Sequence, residues 1–187
     1  MNRAEEIHVS SRSTKDGYWI SFENDAYLVG VKSRVHHRCI PCIENLYDQL
    51  VEGRQEIQLG HAFNCWKVVV VLNNEEECIR VLRKYEREFL PSRHIQGRFG
   101  SKEENGTKAI VVDNIETERE RDAFLLELQE CVNEANLNAH IFYCKGCAYL
   151  YEEVLGDWHE WKKVTPIKYP DKVRDIILKI REVLGIS

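Results

Sequence analysis

The stretch KVVVVL, residues 67–72, is the strongest indication of the fold of this chain. The apolar run that follows Lys67 is typical of a strand buried in the middle of a sheet. Asn74 follows, with Glu77 three residues later, which is the pattern of a capping box at the start of a helix. The apolar residues after it recur at helical spacing, at Ile79, Leu82, Tyr85, Phe89 and Leu90. The stretch therefore predicts a central strand that leads directly into an amphipathic helix.

The segments downstream continue the pattern of strand and helix. Asn105-Gly106 is a strong signal for a hairpin turn, and Asn114 is expected to cap a second long helix. Three further strands are predicted at residues 94–99, 107–112 and 140–143. The resulting order βαββαβ is that of the ferredoxin-like fold, in which the sheet order is 4-1-3-2 and neighbouring strands are antiparallel. We therefore expect an α+β sandwich of this class.

The rest of the chain adds to this core at both ends. Residues 1–64 are expected to form an N-terminal extension packed on the core, made of a hairpin (18–22 with 26–31) and a helix that follows Cys42. Residues 65–187 are expected to hold the ferredoxin-like core and a C-terminal helix. The amphipathic run from Asp171 to Leu184 predicts that final helix.

Composition narrows the classes of function. The chain has 187 residues, 43% of them hydrophobic, and a net charge of −5. An acidic balance counts against a general nucleic-acid or membrane-surface binder. No run of 18 apolar residues and no secretory signal is seen, so we expect a cytoplasmic protein. Its seven cysteines would then be available for metal binding, thiol chemistry or simple burial, because disulfides are rare in a reducing compartment.

Two Cys-x-x-Cys pairs are the chemically distinctive feature of the sequence. They are Cys39 with Cys42, and Cys144 with Cys147. A Cys-x-x-Cys turn presents two thiolates to one ion, and two such turns complete the four-ligand tetrahedral site that zinc prefers. The leading hypothesis is a zinc-binding regulatory or interaction protein in which these four cysteines tie the extension to the core.

The expected topology suggests further ligands. In a ferredoxin-like sheet the last strand runs antiparallel to the first, so the end of the last strand lies near the start of the first. His61 and Cys65 precede the first strand of the core and would share that edge with the second cysteine pair. His36 and His37 lie in a basic stretch just before Cys39 and are also candidates to bind a metal or another ligand.

Two alternatives remain open, and the sequence leaves open whether the protein is an enzyme. The first is a thiol-disulfide oxidoreductase, with Cys39 as nucleophile and Cys42 as resolving thiol. If the pair opens a helix, the helix dipole lowers the pKa of Cys39, an arrangement that resembles thioredoxin-like active sites over these four residues. The second is a metal-free oligomeric or RNA-interaction module, for example a homodimer joined through the sheet face, in which the cysteines are small buried hydrophobic residues.

Overall fold

The protein is described by a computed structural model for residues 6–13, 18–24, 34–90 and 94–186, without the side chains of residues 11–13 and 34–38. Within these residues the fold is α+β, and its main sheet has six mostly antiparallel strands. The helices are α1 (Arg34–Val51), α2 (Glu75–Phe89), α3 (Glu118–Glu134), α4 (Ala148–Leu155) and α5 (Val173–Leu184). The strands are β1 (His8–Ser13), β2 (Tyr18–Glu23), β3 (Glu56–Gln58), β4 (Trp66–Leu72), β5 (Gln96–Ser101), β6 (Lys108–Ile115), β7 (His140–Lys145) and β8 (Val164–Pro166). No helix in the described part of the chain is both long and apolar enough to cross a membrane.

The chain folds into two compact units, each made of two separate stretches. The first unit comprises Met1–Val35 and Trp66–Tyr143, and the second comprises His36–Cys65 and Cys144–Ser187. The division expected at residue 64 therefore lies close to one of the points where the chain passes between units. The helix expected in the N-terminal extension shares its unit with the C-terminal helix.

The six-stranded sheet is built around β4. Its strand order is β1-β2-β5-β6-β4-β7. β4 pairs with β6, and β6 pairs with β5, both antiparallel. Val68 and Val70 on β4 are fully buried, and Val69 between them is only 8% exposed. The apolar run that predicted a central strand therefore occupies an interior position in the sheet, where a long series of β-branched residues packs well.

Helices α2 and α3 supply the rest of the core of the first unit. Tyr85 on α2 and Phe124 on α3 are both buried, with their rings stacked at 6.1 Å between centroids. The Arg121 guanidinium packs against two nearly perpendicular aromatic rings, 4.4 Å from the centroid of Trp66 and 4.1 Å from that of Tyr143. These cation–π contacts, with an ion pair to Asp122 at 2.8 Å, accompany the burial of a charged side chain that is only 8% exposed.

The second unit has a separate hydrophobic core. Helices α1, α4 and α5 contribute to it, together with the two-stranded sheet in which β3 pairs antiparallel with β8. Two short 3-10 helices, Gly60–Asn64 and Trp158–Glu160, complete the connections around it. The fully buried members of this core include Leu46, Ile57, Leu59, Leu150, Tyr151, Val154 and Ile180. Cys42 and Cys147 belong to the same core, so the cysteine motifs are built into the packing of this unit.

The element order predicted between residues 67 and 143 is confirmed, with one correction inside that range and further corrections in the N-terminal region. Thr117, and not Asn114, caps α3, because the Thr117 hydroxyl accepts a hydrogen bond from the Glu120 amide at 3.1 Å. Asn114 lies inside β6 with a φ of 59°, a conformation that asparagine tolerates better than most residues. The prediction that a helix opens at the first Cys-x-x-Cys pair is wrong, because α1 begins at Arg34, five residues before Cys39. The hairpin predicted between 18–22 and 26–31 is wrong as a pairing, because β2 pairs with β1 on one side and with β5 on the other; residues 26–31 themselves lie outside the described residues.

Candidate metal centre

Helix α1 presents the first cysteine pair on one side. Cys39 and Cys42 are three residues apart, so they project from neighbouring positions on the helix surface. The same side continues into Ile43 and Leu46, which are buried in the core of the second unit. Cys42 is 2% exposed, whereas Cys39 is half-buried. The hydrophobic face of α1 thus carries both thiols to the core, and Cys39 lies nearer the surface.

Cys147 stands at the start of α4 and is the centre of the cluster. Its carbonyl accepts the first amide hydrogen bonds of that helix, from Leu150 at 3.2 Å and from Tyr151 at 3.4 Å. Its side chain is 1% exposed. The Cys147 thiol is hydrogen-bonded to three other thiols, those of Cys39, Cys42 and Cys65. We call these four residues, Cys39, Cys42, Cys65 and Cys147, the thiol cluster.

Cys65 reaches the cluster through a close contact with the second cysteine motif. The Gly146 amide donates a hydrogen bond to the Cys65 carbonyl at 2.9 Å. A methyl group added at Gly146 would lie 2.6 Å from the Cys65 sulfur, well inside van der Waals contact. The glycine of Cys144-Lys145-Gly146-Cys147 is therefore needed for the Cys65 sulfur to approach the turn that carries Cys147.

The thiols of the cluster share protons unequally. Hydrogen bonds with Cys39, then with Cys42 and Cys65, raise the pKa of the Cys147 thiol, and burial adds to the effect. The hydrogen bond with Cys147 lowers the pKa of Cys42, against the opposing effects of burial and of charge on Cys39. Cys147 therefore holds its proton and donates it towards its neighbours, while Cys42 is the thiol more readily deprotonated.

Tyr151 and Asn45 hold the backbone around the cluster. The buried Tyr151 hydroxyl donates to the Cys42 carbonyl at 2.6 Å, which joins α4 to α1. The Asn45 amide donates to the Tyr151 hydroxyl at 3.4 Å and to the Gln58 carbonyl at 2.9 Å. These contacts fix α1 against both α4 and β3.

The other residues predicted to contribute are placed as follows. Cys144 is half-buried on β7, three residues before Cys147. His61 lies exposed on the 3-10 helix Gly60–Asn64. His36 and His37 lie within α1, but their side chains are outside the described residues. The described contacts thus unite three of the four paired cysteines and add Cys65.

The thiol cluster is held together by contacts with one residue, Cys147, and its sulfurs are not arranged as the four corners of a tetrahedral metal site. Among the residues that the structure describes, no three His, Cys, Asp or Glu side chains form a group already arranged to hold a metal ion. The hydrogen bonds to Cys147 place the thiols of Cys39, Cys42 and Cys65 next to that one residue. Binding a metal there would require the sulfurs to tighten around the ion and the Cys147 proton to leave.

The two remaining cysteines belong to the first unit and have a different character. Cys78 on α2 and Cys131 on α3 are fully buried. Burial, together with nearby glutamates, raises the pKa of each thiol to about 12. They are therefore protonated at neutral pH and act as small hydrophobic side chains.

The comparisons with known proteins give no family. Neither a protein-family model, nor a curated protein, nor a solved structure matches this chain.

Proposed function

We propose that the second unit is a zinc-stabilised module and that the protein serves a regulatory or interaction role. In this proposal Cys39, Cys42, Cys65 and Cys147 are the zinc ligands. The observation that carries it is that the Cys147 thiol shares hydrogen bonds with the thiols of the other three. The ligands come from both stretches of chain that make up the second unit, so zinc would cross-link them.

The chemistry of the ligands supports zinc over other metals. Four sulfurs with no carboxylate or imidazole among them suit a soft, tetrahedral, closed site. Cys42 and Cys147 are almost fully buried, which is typical of a structural site with no open position for substrate. A structural zinc contributes roughly 10–16 kcal/mol to the folded state of small domains. This contribution would stabilise a unit whose core is assembled from two separate segments.

Metal analysis of a cysteine-to-serine series tests the proposal. The protein is expressed without added zinc, and its bound metal is measured by mass spectrometry after desalting. We expect about one equivalent of zinc in the wild type and a marked loss in Cys42→Ser, Cys65→Ser and Cys147→Ser. Cys131→Ser is the matched control, because it removes a buried thiol of the first unit. A wild-type protein without zinc that remains folded in strong chelator would refute the proposal.

The same series decides between two candidates for the fourth ligand. The spacing of the motifs favours Cys144, whereas the contact of the Cys65 sulfur with Gly146 favours Cys65. We propose Cys65, and therefore expect Cys65→Ser to lower zinc affinity by at least tenfold more than Cys144→Ser. The reverse order would assign the site to the two Cys-x-x-Cys pairs alone.

The proposal extends to the fold of the first unit, the cellular location of the protein and its oligomeric state. We infer that β4 to β7, with α2 and α3, form a ferredoxin-like fold; the sheet order β5-β6-β4-β7 supports this inference. We also propose a reducing, cytoplasmic location, since structural zinc–thiolate sites need reduced cysteines. A homodimer through the sheet face remains a further proposal, which sedimentation at high protein concentration would test.

A thiol-disulfide oxidoreductase is the second candidate function. The lowered pKa of Cys42 favours it, because thiolate is the reactive form of cysteine. The 2% exposure of Cys42 and the position of the pair inside α1 argue against it. Reduction of a small disulfide substrate by the zinc-free protein, lost in both Cys39→Ser and Cys42→Ser, would establish this activity. An equal rate in Cys131→Ser and Cys42→Ser would exclude it.

A further inference from the structure

The four thiols of the thiol cluster differ in their access to solvent. Cys39 is half-buried. The other three side chains are only 2%, 6% and 1% exposed, in the order Cys42, Cys65 and Cys147. Susceptibility of a thiol to a small soluble oxidant such as hydrogen peroxide follows its exposure as well as its thiolate character. Cys39 is therefore the thiol of the cluster that a peroxide in solution reaches first.

Cys39 has a thiol partner on a different helix. Its thiol shares a hydrogen bond with that of Cys147, the residue that precedes the first turn of α4. Its effect on Cys42, one helical turn further along α1, is that of a nearby charge. A disulfide has a sulfur–sulfur distance of ~2.05 Å, so two thiols already in hydrogen-bond contact need only a small approach to join. The contacts thus make Cys147 the partner of Cys39 in a disulfide.

The backbone around this pair is held in place. The buried Tyr151 hydroxyl donates to the Cys42 carbonyl at 2.6 Å. This bond lies one helical turn beyond Cys147 on α4 and one turn beyond Cys39 on α1, so it keeps the two segments side by side next to the thiols. An accessible thiol beside a second, resolving thiol is a common arrangement in cysteines that are oxidised reversibly.

We propose that Cys39 is a site of reversible oxidation by peroxide, with Cys147 as the resolving thiol. The Cys39 sulfur attacks one oxygen of hydrogen peroxide, the O–O bond breaks, and a sulfenic acid and one water are formed. The Cys147 sulfur then attacks the Cys39 sulfur; the S–S bond forms as the S–O bond breaks, and a second water leaves. The two thiols together lose two electrons and two protons, and the peroxide is reduced to two waters.

The disulfide exchanges one cross-link of the second unit for another. Cys39 and Cys147 come from the two separate stretches of chain in this unit, so the covalent bond joins the same stretches that zinc joins in the proposed function. The bond also removes two of the four proposed ligands, and zinc is therefore released on oxidation. The oxidation itself needs no zinc; only the release of the metal rests on the proposed function.

Peptide mapping of the full chain tests this inference. Reduced protein, purified without added zinc, is treated with hydrogen peroxide, quenched in acid so that thiolates cannot exchange, alkylated at mildly acidic pH and digested without reductant. Mass spectrometry identifies the linked cysteines, and a chromogenic chelator measures released zinc. Cys144→Ser is the matched control, because Cys144 is also half-buried and belongs to the second cysteine motif. Dimedone is added to Cys147→Ser to trap the sulfenic acid.

We expect the Cys39–Cys147 linkage to be the main disulfide in the wild type and in Cys144→Ser, and to be reversed by a dithiol reductant. Each chain should lose two free thiols, and about one equivalent of zinc should be released per disulfide. Cys147→Ser should carry the dimedone adduct on Cys39, because the resolving thiol is missing.

Three results would overturn the inference: a main linkage between Cys39 and Cys42, a main linkage between Cys144 and Cys147, or a wild type that forms no disulfide. The mapping of the wild type needs no variant, so it decides the matter even where Cys147→Ser folds poorly. A Cys39–Cys147 linkage in protein that holds no zinc would remove the proposed function and leave this inference intact. Zinc that stays bound while no such linkage forms would remove only this inference.

Discussion

Replacing Gly146 with alanine tests the approach of Cys65 to the second cysteine motif. The new methyl group would lie 2.6 Å from the Cys65 sulfur, whereas ordinary contact needs about 3.5 Å or more. Either the sulfur or the turn must therefore move by roughly 1 Å. A Zn–S bond of about 2.3 Å tolerates only ~0.2 Å of displacement, so the proposed site would lose its bond to Cys65. Gly146 does not have a positive φ, which leaves the steric clash as the cause.

The size of the effect follows from the binding energy of a four-ligand site. If roughly 12 kcal/mol is shared among four ligands, one ligand accounts for about 3 kcal/mol, or on the order of a hundredfold in affinity. The assay is chelator competition for zinc on wild type and Gly146→Ala. Gly106→Ala is the control, because the nearest atom to its new methyl group would be 3.4 Å away.

A double-mutant cycle makes the test specific to Cys65. In a Cys65→Ala background the clashing sulfur is absent, so Gly146→Ala should add almost nothing to the loss already caused by removing the ligand. A clash with the Cys65 sulfur is excluded as the cause if Gly146→Ala weakens zinc binding equally in both backgrounds, or if the single variant binds zinc like Gly106→Ala.

Three other substitutions or modifications probe the packing around the site and in the first unit. Tyr151→Phe leaves the Cys42 carbonyl without its buried donor and should lower the free energy of unfolding by about 1–3 kcal/mol in urea titrations; an unchanged midpoint would contradict this role. Cys78 and Cys131, with thiol pKa values raised to about 12, should resist maleimide at pH 8 in the folded protein and react only after denaturation, as read by peptide mass spectrometry. Arg121→Met keeps an apolar stem but removes the cation that contacts the rings of Trp66 and Tyr143, and should lower the free energy of unfolding by roughly 1–2 kcal/mol; no change in melting temperature would show that these cation–π contacts are not stabilising.

The order of elements between residues 67 and 143 could be predicted because its signals are local. The stretch at 67–72, the capping Asn74 and the Asn105-Gly106 turn each act within a few residues, and all three coincide with the observed elements. Strand β1 was not predicted, because the N-terminal residues are polar and its pairing with β2 is a tertiary feature. The start of α1 was predicted at the first Cys-x-x-Cys pair because strand structure was expected before that pair. In the structure Pro41 lies in the interior of an eighteen-residue helix.

The candidate site could be predicted only in part. The spacing of the cysteine pairs pointed to Cys39, Cys42, Cys144 and Cys147, and topology pointed to His61 and Cys65, but neither indicated which thiols touch. That depends on the contact between Gly146 and the Cys65 sulfur, which joins residues some eighty positions apart. The glycine inside the second motif is a signal that could have suggested this contact. Lys145 of the same motif is only 4% exposed. Hydrophobic periodicity does not predict this burial, because a charged side chain is expected at the surface.

X-ray absorption spectroscopy at the zinc edge, on protein purified without added metal, detects the proposed zinc site and identifies its ligand atoms. We expect about one zinc per chain with four sulfur neighbours at ~2.3 Å in the wild type. It also predicts one fewer sulfur neighbour in Cys65→Ser and an unchanged shell in Cys144→Ser. A shell that contains nitrogen or oxygen in the wild type, or the absence of zinc altogether, would contradict it.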